Sequence, residues 1–276
     1  MNWLFQPLQY EFMVRGLLAS VMVGILCAVM GTYVVLRGMA FLGDAMAHAI
    51  LPGVAIAFLL HGNLLVGAII AAVIVALSIG FFSKGGAVKE DTAIGILFAA
   101  ALSLGVALIS SIQTYAVDLS HILFGNVLGV STSDLWLTVV LGLLALSAVA
   151  LLYKQFLVIS FDPILAATLR LPVELLRNLM LILLALTVVV SLQTVGVGLA
   201  AAMLVTPAAT AYLLTRRLWP MMVVSATIGA VSSLVGLYLS YYLNIVSGSA
   251  IVLTATAFFL LVFLFQPRRG VLWKKK

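Results

Sequence analysis

Apolar residues run along this chain in blocks long enough to cross a bilayer, with polar residues gathered between the blocks rather than alternating inside them. The blocks cover approximately 15–36, 45–60, 64–83, 92–113, 134–158, 175–195, 198–214, 219–243 and 249–266. A helix needs about 20 apolar residues to cross roughly 30 Å of hydrocarbon. The pattern therefore predicts an all-α, polytopic integral membrane protein of eight or nine transmembrane helices, forming one membrane domain over residues 1–276. The second and seventh blocks are short and contain Pro52 and Pro207. Proline removes a backbone donor, and in lipid such a break persists only beside protein or a water-lined cavity. These two spans are expected to be broken helices lining a path, with Gly43 and Gly198 as the accompanying breaks.

A shift of 155 residues brings the two halves into register: Gly43 falls on Gly198, Pro52 on Pro207, and Val34-Val35 on Val189-Val190. AHAILPGVAIAF then lies over AMLVTPAATAYL. The halves predicted to repeat are about 15–113 and 175–266, and the fifth block lies between them. With that one span intervening, the copies are expected to share an orientation. Paired broken helices from repeated halves commonly flank a transport site near the midplane.

Composition agrees with a membrane-embedded chain, since 65% of residues are hydrophobic and 8% are charged, against about 25% charged in soluble domains. The net charge of +6 is not a nucleic-acid signature. Arg37, Lys84, Lys89, Lys154, Arg170, Arg177, Arg216 and Arg217 fall in alternate connections, and Arg268, Arg269 and Lys274 to Lys276 form the tail. The intervening connections lack Lys and Arg, which places the basic ones in the cytoplasm. With nine spans the N-terminus lies outside, and Arg15 is the one basic residue left on that side. Cys27, the single cysteine, excludes a disulfide framework or thiolate cluster. The first residues lack the basic region and cleavage site of a signal peptide, so the first span is expected to be retained.

Asp44 and His48 stand apart among the few ionisable residues. Four residues apart in FLGDAMAHAILPG, they share one face of a helix. A charge at the centre of a membrane helix costs at least about 2.5–3.5 kcal/mol, so such residues persist mainly where they pair or bind something. A carboxylate and an imidazole suit Mn²⁺, Zn²⁺ or Fe²⁺. The plainer alternative is that Asp44 caps the broken helix and His48 hydrogen-bonds to it. His61 reads as a surface residue of a short outer turn. Asp118 and His121, three apart in AVDLSHILFGN, are lower-ranking metal candidates in an outer vestibule or docking segment. The remaining acids read as solvated or helix-capping charges at span ends. SFDPILAATLRLPVELLRN is the longest cytoplasmic stretch and suits contact with a partner through two short amphipathic turns. The phosphate-cradling GxxxxGK[ST] loop is absent, as are a Ser/His/Asp triad and paired hydrolytic carboxylates. No enzyme activity is expected, and any ATP hydrolysis belongs to another subunit.

VVLRGMAFLGDAMAHAILPGVAIAF, KEDTAIGILFA, DLSHILFGNVLGVS, SFDP, VVVSLQTVGVGLAAAMLVTPAATAYLL and LYLSYYLNIVSGSAIVL together resemble the permeases of metal-ion ABC transporters, which import manganese, zinc or iron. The resemblance implies that Asp44 and His48, as the DxxxH motif, contact the passing ion. It also implies that the segment of about 159–174, with Asp162, Pro163, Ala166 and Arg170, docks in a groove of the ATPase. There the chain departs from the family pattern: Ile164 stands for the glutamate of DPE, and Arg170 for a glycine before the leucine-proline pair. Implied partners are two cytoplasmic ATP-binding subunits, a second copy of the chain, an external metal-delivering protein and lipid, in a bacterial inner membrane. No covalent cofactor is implied.

On this reading the ion passes to Asp44 and His48 near the dimer axis, and ligation requires neutral imidazole, so transport declines as His48 takes up a proton. Manganese is favoured over zinc or iron, because no thiolate is near the path and oxygen suits the harder ion. An ion-gradient-driven transporter using Asp44 and His48 as a proton relay, and an ABC permease for a metal chelate such as a siderophore, are the alternatives. A non-transport receptor or scaffold leaves the intramembrane charge unexplained.

Overall fold

The computed structural model describes residues 6–86, 88–111 and 127–266. Among these residues there are no strands, and the helices are α1 (Glu11–Leu36), α2 (Leu42–Ala49), α3 (Leu51–Leu59), α4 (Leu64–Phe82), α5 (Glu90–Ser110), α6 (Thr132–Leu151), α7 (Tyr153–Phe161), α8 (Pro163–Thr168), α9 (Val173–Val195), α10 (Val197–Leu214), α11 (Leu218–Leu243) and α12 (Ser247–Phe265). Within the described residues nine stretches are long and apolar enough to cross a membrane, with α2 and α3 together forming one of them. Several starts are capped by the polar residues between blocks. The Asn63 side chain accepts from Leu65 N–H at 2.9 Å, and Ser131 and Asp134 form a capping box at α6, satisfying backbone donors that a helix start leaves free.

Burial sorts the spans. Two-thirds of the apolar windows of α1, α2–α3 and α9 are buried, against 17% for α5 and α12, so the former make the centre and the latter the outside of the chain. In lipid, helices associate through close packing and interhelical hydrogen bonds rather than a hydrophobic drive. The α1–α11 seam is built this way: a methyl at Gly24 would lie 2.7 Å from Ser233 Oγ. Ser225 Oγ donates to Ala28 O at 2.8 Å and Ser233 Oγ to Ser20 O at 2.9 Å.

The packing follows the exchange of α1 with α9, α2–α3 with α10, α4 with α11 and α5 with α12. Thus α1 packs on α10 and α11 as α9 packs on α2 and α4, α10 meets α12 as α2 and α3 meet α5, and α6 touches both α1 and α9. The element bounds match as well, since Leu42–Leu59 shifted by 155 residues gives Val197–Leu214. The expected shared orientation does not hold. Four spans plus α6 make five crossings from α1 to α9, and an odd number inverts the second set relative to the first.

Other expectations change in detail. The apolar block 134–158 is two helices, α6 ending at Leu151 and α7 starting at Tyr153, because Tyr153, Lys154 and Gln155 bring polar atoms where the span leaves the bilayer. Arg15 lies in the second turn of α1 and pairs with Glu11. Gly43 and Gly198 do not break helices; each lies in the first turn of its helix, α2 and α10. The turn between α9 and α10 is made by Gly196 at φ 87°, a conformation open to glycine without a Cβ penalty. Pro52 does sit at a break, but α10 runs unbroken through Pro207.

Candidate functional site

The second span is interrupted at Ile50, between α2 and α3. In an unbroken helix the N–H of residue 52 would bond to the carbonyl of residue 48, and Pro52 has none to give. The carbonyl released by the break is therefore that of His48, and it accepts from Ile50 N–H instead. α5 presses on the break through Gly105, where a methyl would lie 2.8 Å from Leu51 Cβ and 3.2 Å from Pro52 N.

Asp44 lies in the first turn of α2 and His48 in its last, the ends where the helix dipole favours an acid and a base respectively. Leu42, Gly43, Ala45, Met46, Ala47 and Ala49 are buried, which fixes the opposite face of α2 in the protein core. The Asp44 and His48 side chains keep 44% and 30% of their surface exposed, with His48 Nε2 3.7 Å from Asp44 Oδ1. That separation exceeds hydrogen-bond reach, and the N-terminus of α2 has no side-chain cap. Neither contact of the plainer alternative is made. The imidazole meets the edge of Phe98 at 5.9 Å between centroids, and Phe98 in turn meets Phe41 at 5.3 Å. Phe98 is near the middle of α5, and the pair occupies the first seven residues of the second span. No group of three His, Cys, Asp or Glu able to hold a metal occurs among the described residues. This pair supplies two donors on an open face, and a bound cation would need further ligands from elsewhere.

The other predicted residues fall as follows. Asp118 and His121 lie outside the described residues. His61 is exposed at φ 51° and ends α3, with His61 N–H bonded to Phe58 O and Gly62 N–H to Ala57 O; it is a helix terminator, as a surface reading requires. Cys27 is buried beside Ser191. In the segment expected to be cytoplasmic, Asp162 Oδ1 accepts from Ile164 and Leu165 N–H at 2.9 and 3.0 Å, and Pro163 opens α8 behind it. Ala166 is fully buried, whereas Ile164 and Leu165 on this short helix and the flanking Phe161 and Leu169 are exposed, leaving an apolar face there. Arg170 takes φ 56° in a Schellman ending, with its N–H on Ala167 O and Leu171 N–H on Ala166 O. That is the left-handed position glycine fills without penalty, and a side chain there costs roughly 1–2 kcal/mol.

One buried charge cluster was missed in the sequence. Glu90, read as a solvated or capping charge, is largely buried between Arg37 and Arg177. Burial draws the Arg37 guanidinium below its ordinary pKa while Glu90 opposes the change. Whether a charge at a span end is buried depends on which other helix ends meet it, and no local pattern carries that.

The model of the ABC 3 transport family matches residues 9–266. The manganese transport system membrane protein MntC of Listeria monocytogenes is 49% identical over 269 residues, covering 98% of this chain and 96% of the relative. A probable iron transport system membrane protein of Haemophilus influenzae is 39% identical, covering 97% and 98%. Among solved structures, PsaBC from Streptococcus pneumoniae in complex with Fab superposes with a TM-score of 0.84 at 40% identity, over 97% of this chain and 96% of that one.

Proposed function

The chain belongs to the ABC 3 transport family, and from that premise we propose that it is the membrane permease of an ATP-driven importer of a divalent metal ion, manganese before iron or zinc. The observation that carries the reading is the exposed Asp44–His48 face within the second span, next to a helix break at Ile50. The name of the Listeria relative supports manganese, that of the Haemophilus relative keeps iron in view, and a carboxylate with an imidazole accepts either.

In this reading a second copy of the chain supplies the matching pair across an axis, and two donors per chain give a site weak enough to release its ion. An external protein delivers the metal, and ATP is hydrolysed on separate cytoplasmic subunits. The apolar face of α8, with Asp162, Pro163, Ala166 and Arg170 shaping it, receives their movement. Ligation through neutral imidazole makes uptake fall as His48 is protonated. Asp118 and His121 remain candidates for the outer entrance.

The test is cellular metal content. Cells lacking this protein should lose manganese selectively, and D44A should reproduce that loss with the transporter still assembled. Uptake should follow ATP rather than membrane potential. Unchanged manganese, zinc and iron in the deleted strain would refute the assignment.

A further inference from the structure

Four helix ends meet around one carboxylate at the cytoplasmic side. Glu90, the first residue of α5, is paired with Arg37, which closes α1, and lies 3.9 Å from Nε of Arg177 in α9. Arg177 also donates to Gly80 O at 2.8 Å and Ser83 O at 3.5 Å, at the end of α4. Side-chain exposures are 11% for Arg37, 20% for Glu90 and 15% for Arg177, so none is a solvated surface charge.

Helix dipoles explain most of this cluster. A carboxylate suits the start of α5, and cations suit the ends of α1 and α4. Arg177 is the exception, since it lies in the second turn of α9, at the end of its own helix where a cation is least favoured. The α4 carbonyls hold it there by hydrogen bonds, and Glu90 adds charge attraction at 3.9 Å. Buried ion pairs contribute little net stability relative to apolar packing, so stability alone does not account for assembling three such groups.

Connectivity does. α9 begins directly after the coupling segment, and α8 packs on α7 and α9. α5 carries Phe98 against His48, and Arg37 is followed by four residues and then α2, which bears Asp44. One carboxylate thus touches the helix leaving the coupling segment, the helix abutting His48 and the connection into the Asp44 helix.

We propose that Glu90 is a positioning residue that, through Arg177 and Arg37, carries displacement of the coupling segment to α2 and α5 and so to the ion-contacting pair. This rests on the importer reading above. The test uses the full transporter, with its ATPase and delivery protein, in proteoliposomes, recording manganese uptake and ATP hydrolysis together. E90Q should assemble and hydrolyse ATP near the wild-type rate while manganese imported per ATP falls about tenfold, and E90D should recover most of it. The R37Q/E90Q double variant should lose no more than E90Q alone, because the pair acts as one link.

A merely structural Glu90 gives another result: assembly, hydrolysis and uptake fall together with the ratio unchanged, which overturns the proposal. Additive losses in R37Q and E90Q also overturn it. If the wild-type transporter imports manganese and E90Q keeps its ratio, only the coupling role fails. If the wild type shows no ATP-dependent metal uptake, the importer reading fails and takes the coupling role with it.

Discussion

The spans Leu42–Leu59 and Val197–Leu214 have the same length, corresponding neighbours and a proline at the same position, yet only one carries a carboxylate and an imidazole. Where the first has Asp44 and His48, the second has Leu199 and Met203, exposed by 5% and 1%. The first is interrupted at Ile50 and the second runs straight through Pro207. A proline by itself therefore does not break a span here. The residue after it differs: Gly53 lets α3 lie directly on the backbone of α4 at Gly67, where any side chain would collide. The corresponding Ala208 already carries such a side chain. Drawing α3 onto α4 requires a turn at Ile50, beside the His48 carbonyl that Pro52 leaves without its helical donor. One fold thus holds, at corresponding places, a packed span and a span bearing a carboxylate and an imidazole.

The sharpest challenge is to make the copies alike. His48→Leu should reduce metal uptake to background, because one of two donors is lost. Met203→Leu, at the corresponding position, conserves volume in a packed site and should cost less than about 1.5 kcal/mol of stability, with uptake per assembled transporter unchanged. Equal losses from the two leucines would mean that both spans serve packing alone.

A smaller effect is expected at the prolines. Pro207→Ala returns one hydrogen bond to a helix that is already straight, so thermal stability should rise, by at most about 3 kcal/mol, with uptake retained. Pro52→Ala restores the N–H that an unbroken helix would give to His48 O. Because Gly53 on Gly67 still holds the turn at Ile50, the break should persist, with uptake lowered by about twofold at most. If Pro52→Ala instead straightens the span and gains as much stability as Pro207→Ala, the Gly53–Gly67 contact does not set the break.

Much of this was legible in the sequence, because hydrocarbon thickness imposes a block length and an intramembrane charge is costly enough to stand out. Both made the spans and the Asp44–His48 face readable one block at a time. What was not legible depends on meetings between blocks. The break at Pro52 and its absence at Pro207 are set by Gly53 against Gly67. The burial of Glu90 is set by the ends of α1, α4 and α9. Arg170 was visible as a departure from the family glycine, but its left-handed backbone, which explains the glycine, appears only in the folded segment.

The finest probe of the two copies is a single methyl. Gly198 has open space where a Cβ would go, whereas a Cβ on Gly43 would lie 2.9 Å from Leu204 Cδ2 and 3.5 Å from Ala201 Cα. Replacing glycine by alanine within a helix gains about 0.5–1 kcal/mol from backbone entropy, so Gly198→Ala should raise the unfolding midpoint and leave uptake unchanged. Gly43→Ala gains the same term but must displace the Leu204 methyl, the far end of a flexible side chain, by a few tenths of an ångström. Its stability should stay near wild type, and uptake should fall by less than about half, because α2 moves with Asp44 attached while Leu204 yields most of the space. Thermal unfolding and transport of the two variants read these separately. A Gly198→Ala variant that loses uptake while Gly43→Ala does not would place the sensitive contact on the packed copy, contrary to the assignment of the chemistry to α2.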